Sequence, residues 1–258
     1  MADQLSSTRN PRVRAAASLS RRRERRRTGR HLVEGPRAVA EALAWAHVVE
    51  VFTTPTLRPA TVPAGVPVHE VPEHVVAAIA DARTPQGIVA VVETPWASPE
   101  QLRDAELVVV VDRLADPGNV GTVIRTADAA GADAVVVTAG SADPHGPKAI
   151  RAAVGSTYHL PVVRDVPFVE VAPVLRAAGH QLLGLDAAGT RHVHQLAPSD
   201  APLTLVLGNE AHGLQEPAAL DGSLRVPMAS RAESLNAAAA AAVALFAASR
   251  ALGRLADS

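Results

Sequence analysis

Cysteine is absent from this 258-residue chain, and its aromatic complement is two Trp, one Tyr and three Phe. Without cysteine, neither a disulfide nor a thiolate zinc centre holds the fold, and sulfur redox chemistry is excluded. So few aromatic rings exclude base stacking as the main term in recognising a nucleic acid. Long apolar runs are missing too. The stretch from Asn236 to Leu252 is mostly alanine and contains Ser249 and Arg250, too weakly hydrophobic for a membrane span and suited to a packed helix. The arginine-rich start has no apolar segment leading to a small-residue cleavage site, so a secretory leader is not expected and the working compartment is expected to be the cytoplasm. Ten histidines give only one close pair, His192-x-His194, with no H-E-x-x-H or acidic ion loop, so no metal is expected.

What is present is a globular composition, 48% hydrophobic, long enough for one large domain or two smaller ones. The net charge of −1 conceals an asymmetry: ten arginines stand against Asp3 and Glu24 in the first 30 residues, a local +8 that leaves −9 on the remainder. The run Arg21-Arg-Arg-Glu-Arg-Arg-Arg27 suits phosphate neutralisation on nucleic acid. A solvated tail or helix face accounts for it equally well.

Behind this basic leader (1–30), residues 31–96 read as a small α/β unit: a helix Pro36–Ala46, a strand Val48–Phe52, a helix Glu73–Ala82 and a strand Ile88–Val92. Glu93-Thr-Pro-Trp-Ala-Ser-Pro-Glu100 breaks the periodicity and is the linker candidate, with a helix Pro99–Asp104 leading onward. From 104 to 258 strands and helices alternate. Strands are expected at Leu107–Val111, Ala134–Val137, Gln181–Leu185, Leu203–Leu207 and Arg225-Val-Pro, with helices at Val120–Ala130, Lys148–Val154 and Val171–Ala178. Continuous apolar strands such as Leu107-Val-Val-Val-Val111 indicate a parallel sheet covered on both faces. Ligands of such sheets sit beyond the carboxyl ends of the strands.

Three stretches lie at or near such ends. In Asp112-Arg-Leu-Ala-Asp-Pro-Gly-Asn-Val-Gly-Thr-Val-Ile-Arg-Thr126, Asn119 is placed to cap a helix from Val120, and Arg125 falls off the apolar stripe of Val120, Val123, Ile124 and Ala127. Near a helix N-terminus, that arginine is suited to an RNA phosphate. In Leu205-Val-Leu-Gly-Asn-Glu-Ala-His-Gly-Leu214 the glycines have P-loop spacing, but Leu214 stands where the lysine must be, and no G-x-G-x-x-G appears elsewhere. Glycines at a strand end still admit close approach of a ligand to the backbone. In Val226-Pro-Met-Ala-Ser-Arg-Ala-Glu-Ser-Leu-Asn236, Ser234 reads as a cap for the alanine-rich helix, which packs inside the domain or against a second copy.

Taken in order, the three stretches resemble the SpoU (TrmH) branch of the SPOUT methyltransferases, supported by Gly131-Ala-Asp and Lys148-Ala-Ile-Arg-Ala-Ala-Val-Gly-Ser156. Upstream, His31-Leu-Val-Glu-Gly-Pro36 and Thr84-Pro-Gln-Gly-Ile-Val-Ala90 resemble the small RNA-recognition domain that precedes that family's catalytic domain. The resemblance implies an α/β SPOUT domain with a C-terminal trefoil knot, S-adenosylmethionine bound within it, and a homodimer. It implies methyl transfer to a ribose 2′-hydroxyl of RNA, with ribosomal RNA preferred over transfer RNA. The implied catalytic set is Arg125, Asn119, Glu210, Ser234 and Asn236; the implied cofactor set is Leu207, Gly208, Gly213, Val226, Met228 and Leu235. Two departures, Ser230 where glycine is usual and Ala237 to Ala240 in place of a valine-serine alternation, bear on loop shape and helix packing. A methyltransferase acting on a base nitrogen and a catalytically degenerate RNA-binding protein are the competing readings.

Overall fold

The computed structural model of the protein describes residues 5–255, except positions 58, 83, 96, 210, 211, 215 and 230–233. The chain divides into two compact units, one formed by residues up to Pro95 together with His145–Tyr158, the other by Trp96–Pro144 and the chain from His159 onward. The division differs from the sequence-based boundaries in two places. Residues 1–30, expected as a leader, belong to the first unit because Leu5, Val13, Ala16 and Leu19 are buried in its core. Residues 145–158, expected in the catalytic domain, also belong there, and Ile150 enters that core.

In chain order the first unit contributes α1 (Pro11–Ser18), α2 (Arg22–Thr28), β1 (Arg30–Glu34), α3 (Pro36–Trp45), β2 (Val48–Thr53), β3 (Val68–Glu70), α4 (Glu73–Ile79) and β4 (Ile88–Glu93). The expected helix at Pro99–Asp104 is a single 3-10 turn, Pro99–Leu102. There follow β5 (Leu107–Val111), α5 (Pro117–Ala129), β6 (Ala134–Thr138), α6 (Pro147–Ala153) of the first unit, β7 (Val162–Val166), α7 (Phe168–Ala177), β8 (Gln181–Leu185), β9 (Arg191–His192), β10 (Leu203–Leu207), β11 (Gly222–Arg225) and α8 (Ala237–Ala251).

The first unit is a four-stranded sheet in the order β1-β4-β2-β3, with β4 antiparallel to both neighbours. Side chains of a strand alternate between faces. In β4, Val89 and Val91 accordingly join Val13, Ala16, Leu19, Val75, Val76 and Ile79 on one face. Ile88, Ala90 and Val92 join Val39, Ala42, Leu43 and Ile150 on the other. His31 of β1 is fully buried. It is satisfied at both nitrogens, with Nδ1 3.1 Å from Thr94 Oγ1 and Nε2 2.8 Å from the Tyr158 hydroxyl.

The second unit is a seven-stranded sheet in the order β7-β6-β5-β10-β8-β11-β9, parallel throughout. All five residues of β5 and of β10 are buried, as a sheet covered on both faces requires. On one face Val108, Val110, Val136 and Val206 pack with Phe168, Val171 and Leu175 of α7. Across the other, α5 and α8 pack together, and α8 also meets β10, β5 and β8. From β5 the chain builds outward through β6 and β7, then crosses to β8, and β10 returns to fill the gap between β5 and β8. The order reverses at β10, which makes its carboxyl end the switch point where open α/β sheets bind ligands. Among the described residues no helix is long and apolar enough to cross a membrane.

Candidate functional site

The carboxyl ends of the central strands are level. Leu207 pairs with Val111 on one side and with Leu185 on the other, and Leu185 pairs with Leu224 of β11. Every loop leaving these strands therefore starts from one edge. A crevice of about 900 Å³ lies there, with Leu185, Leu207 and Leu224 among its apolar lining and Asp186, His192 and Arg225 among its charged and polar lining. That volume is within the range of sites that bury a drug-sized ligand.

The loop after β10 is shaped by its glycines. A Cβ on Gly208 would lie 2.3 Å from the carbonyl carbon and oxygen of Gly213, so only glycine lets the two backbone segments meet. They meet as a bridge: the Asn209 N–H donates to the Gly213 oxygen at 2.9 Å, and the Gly213 N–H returns to the Asn209 oxygen at 2.8 Å. Gly213 itself is left-handed, with φ +66.

Side chains tie this loop to the other two. Asn209 donates through Nδ2 to the carbonyl of Arg113 at 2.8 Å, which joins the second motif to the first. Arg113 holds a left-handed conformation, φ 56, and its N–H is held by Thr138 Oγ1 at 3.1 Å. The same hydroxyl donates to buried Asp112 at 2.8 Å. A non-glycine residue in this region of φ costs about 1–3 kcal/mol and persists only where its surroundings over-determine it. Here the Asn209 and Thr138 bonds do so. The third motif joins the first through Asn236, whose Nδ2 donates to Asn119 Oδ1 at 3.1 Å.

All six residues of the expected cofactor set, Leu207, Gly208, Gly213, Val226, Met228 and Leu235, line the crevice, and so do Ser234 and Asn236. Asn119 reaches it through Asn236. Arg125 does not line it. It is exposed on α5, six residues beyond Asn119 and thus about 9 Å further along the axis. Glu210 lies outside the described residues.

Two expected caps are corrected. The cap of α5 is Asp116, which accepts the Asn119 N–H at 3.0 Å, because Pro117 at the first helical position moves the start three residues upstream of Val120. The cap of α8 is Asn236, whose Oδ1 accepts from the N–H groups of Ala238 and Ala239, not Ser234. Asn236 thus spends its carbonyl on the helix and its amide on Asn119. Sequence reasoning missed Asn209, Asp186, His192 and Arg225. Asp186 directly follows an expected strand, and the strand-end rule could have found it. Desolvation, followed by the charges of Arg225 and His194, lowers the His192 pKa, so its ring is neutral at pH 7. Among the described residues no three His, Asp or Glu side chains gather as a metal site.

The arrangement is a glycine-shaped backbone cradle with apolar walls and amide side chains at its rim, at a sheet switch point. It has neither the lysine of a nucleotide hydrolase nor the glycine fingerprint of a dinucleotide fold. Residues 106–246 match the sequence profile described as the SpoU rRNA Methylase family, and residues 10–90 that of the MRM3-like substrate binding domain. The chain belongs to the SpoU rRNA Methylase family. Among SpoU relatives, it is 38% identical over 250 residues to the 23S rRNA (guanosine(2553)-2′-O)-methyltransferase RlmP of Bacillus subtilis, covering 94% of this chain and 98% of that one. Among solved structures, it is similar to an AdoMet-bound rRNA methyltransferase from Sinorhizobium meliloti, with TM-score 0.85, 31% identity and coverage of 96% and 97% of the two chains. A third SpoU protein, AviRb from Streptomyces viridochromogenes in complex with AdoMet, matches with TM-score 0.82 at 31% identity over 94% and 98% of the two chains.

Proposed function

We propose that the second unit binds S-adenosylmethionine in the crevice beyond β8, β10 and β11 and transfers its methyl group to a ribose 2′-hydroxyl of RNA, with ribosomal RNA as the substrate class. The observation that carries this reading is the tying together of three loops far apart in sequence, by Asn209 to Arg113 and by Asn236 to Asn119, around one crevice. The residues fit the donor. Leu185, Leu207 and Leu224 offer walls for a purine, backbone groups near Gly208 and Gly213 offer its hydrogen bonds, and Met228 and Leu235 are exposed apolar side chains at the crevice. Of the relatives named above, RlmP is called a 23S rRNA 2′-O-methyltransferase and the Sinorhizobium meliloti protein an rRNA methyltransferase, which supports both the ribose and the ribosomal choice.

When bound, S-adenosylmethionine supplies an electrophilic methyl on a sulfonium. A C–S bond breaks as a C–O bond forms, and the hydroxyl proton must leave. Alignment of the reacting atoms dominates such a step. In this reading Asn236 fixes Asn119 at the RNA side of the crevice, and Ser234 completes the rim. Arg125 holds a phosphate beside the target ribose and stabilises the developing alkoxide, with the proton passing to phosphate or water, because a guanidinium resists deprotonation.

The reading includes RNA docking by the first unit, a C-terminal knot and a homodimer. What supports the knot is that α8 meets α5 and the segment between β8 and β10, with the Ser199 N–H donating to the Ala251 carbonyl at 2.9 Å. What supports the dimer is a pair of exposed apolar residues one turn apart on α8, Val243 and Phe246. Calorimetric titration with S-adenosylmethionine tests the donor site. Saturable one-to-one binding per chain is expected; RNA binding without it would leave a degenerate RNA-binding protein.

A further inference from the structure

Residues 21–30 carry seven arginines against Glu24, and in the sequence phosphate neutralisation and a solvated tail or helix face account for them equally well. The structure makes them a built surface. A seven-residue helix does not hold by itself in water. α2 is fastened by Arg25, 5% exposed, whose guanidinium donates to the Leu19 carbonyl at 2.8 Å and the Ser20 carbonyl at 2.7 Å. Gly29, left-handed at φ 64, closes its C-terminus, and Leu19 anchors the preceding turn in the core.

With Arg25 turned inward, Arg22, Arg23, Arg26 and Arg27 remain exposed. At about 100° per residue they share an arc of roughly 140° on one side of the helix. Arg21 and Arg30 flank them, also exposed. Only part of this charge is answered locally. Arg27 pairs with Glu24 at 2.9 Å and Arg22 and Arg26 also have partners, while the side chains of Arg21, Arg23 and Arg30 make no hydrogen bond or ion pair among the described residues. On α1, by contrast, Arg12 is answered by Glu50 at 3.4 Å. Like charges crowded on one helix side repel, and a polyanion relieves that cost while releasing its own counterions.

We infer that the exposed arginine side of α2 is a phosphate-tracking surface that docks the substrate RNA by its sugar-phosphate backbone, without reading sequence. The inference rests on the RNA methyltransferase reading and adds to it the place and chemistry of docking. With so few aromatic residues in the chain, its affinity comes from guanidinium–phosphate contacts rather than stacking.

The test is fluorescence anisotropy of a labelled RNA hairpin of arbitrary sequence, titrated with the full chain at several salt concentrations, for wild type and for Arg22→Gln/Arg23→Gln/Arg26→Gln. Each phosphate contact contributes about 0.7 on single strands, and about 0.9 on a B-form duplex, to the slope of log affinity against log salt. The triple variant is expected to bind at least about tenfold more weakly near physiological salt, with a slope shallower by roughly 2 to 3. Its affinity for S-adenosylmethionine, measured in parallel, is expected to match wild type and reports on folding. Arg23→Glu, at a position with no partner to lose, is a second variant expected to weaken RNA binding in the same direction. Equal affinity and slope in wild type and both variants would overturn the inference while leaving the methyltransferase reading intact. Failure of wild type to bind RNA at all would instead sink that reading. Vesicles of phosphatidylserine and phosphatidylcholine form the last arm: arginine-dependent binding to them, with RNA binding unaffected, would also overturn the inference.

Discussion

Replacing Gly208 by alanine adds a single methyl group at the tightest point of the crevice. Its Cβ would sit 2.3 Å from the Gly213 carbon and oxygen and 2.6 Å from the Leu214 nitrogen, all backbone atoms that cannot rotate away. Ordinary carbon contacts are about 3.5–4.0 Å, so the backbone at Gly213 must retreat by more than about 1 Å. Such a retreat breaks the paired Asn209 and Gly213 backbone bonds and pulls Asn209 Nδ2 from the Arg113 carbonyl. Overpacking of this kind costs about 1–3 kcal/mol, and the loss of these bonds unties the second motif from the first. Gly213→Ala is the matched control. Its Cβ would meet nothing within 4 Å, so its cost is confined to the left-handed backbone, about 1–2 kcal/mol. Isothermal calorimetry with S-adenosylmethionine should show Gly208→Ala binding about 10- to 100-fold more weakly, a loss of about 1.4–2.8 kcal/mol, and Gly213→Ala binding appreciably better. Wild-type affinity in a folded Gly208→Ala protein, checked by thermal melting, would refute the argument that this backbone contact shapes the donor site.

Substitutions at three other residues separate the roles that each side chain combines. Asn236→Asp keeps the oxygen that caps α8 but loses the amide that holds Asn119, so melting temperature should be preserved while kcat falls; Asn236→Ala should also cost about 1 kcal/mol of stability in denaturant unfolding. Arg125→Lys keeps the charge and loses the planar fork, so RNA affinity should hold roughly while single-turnover rates drop; full activity in that variant would remove Arg125 from the mechanism. Asp133 accepts from the Glu106 and Leu107 N–H groups and pairs with Arg254 at 2.7 Å. Desolvation raises its pKa, but the Arg254 and backbone bonds outweigh that and hold it below the ordinary carboxylate value. A depressed carboxylate stabilises the fold above its unfolded pKa and loses that contribution as pH falls through the folded one. Arg254→Gln should therefore flatten the decline of stability on the acid side and leave its slope at neutral pH unchanged, as read from urea midpoints across a pH series.

How far the sequence could be read depended on how much of each element's pattern came from burial. Leu107–Val111 and Leu203–Leu207 are legible because both faces are covered and no polar residue except Thr204 interrupts them. Other strands were hidden by polar residues that only tertiary partners make tolerable. In β7, Arg164 is buried and Asp165 is left-handed, and in β1, His31 is buried against Thr94 and Tyr158. The assignment of residues 145–158 to the first unit was equally hidden, because an amphipathic helix shows which face it buries but not against which sheet. At the site, strand-end position brought out the loops after β5 and β10, and the resemblance to the SpoU methyltransferases supplied the individual residues that share the crevice. The ties that align the loops were not readable. Asn209 reaches a backbone carbonyl 96 positions away and Asn236 a side chain 117 positions away, and neither leaves a local periodic trace. The N-cap positions failed for a simpler reason: Asp116-Pro117 is a stronger helix start than Asn119, and Asn236 stands closer to the alanine run than Ser234.

The central claim is that these joined loops deliver a methyl group to a ribose oxygen of RNA. The most direct measurement is to incubate the purified chain with ribosomal RNA and methyl-labelled S-adenosylmethionine, then hydrolyse the product with alkali. The account predicts label retained at one nucleotide whose 3′ linkage resists cleavage, and much less label with Gly208→Ala at a donor concentration below its weakened affinity. Label released on mononucleotides by complete alkaline cleavage would mean transfer to a base, and would contradict the account.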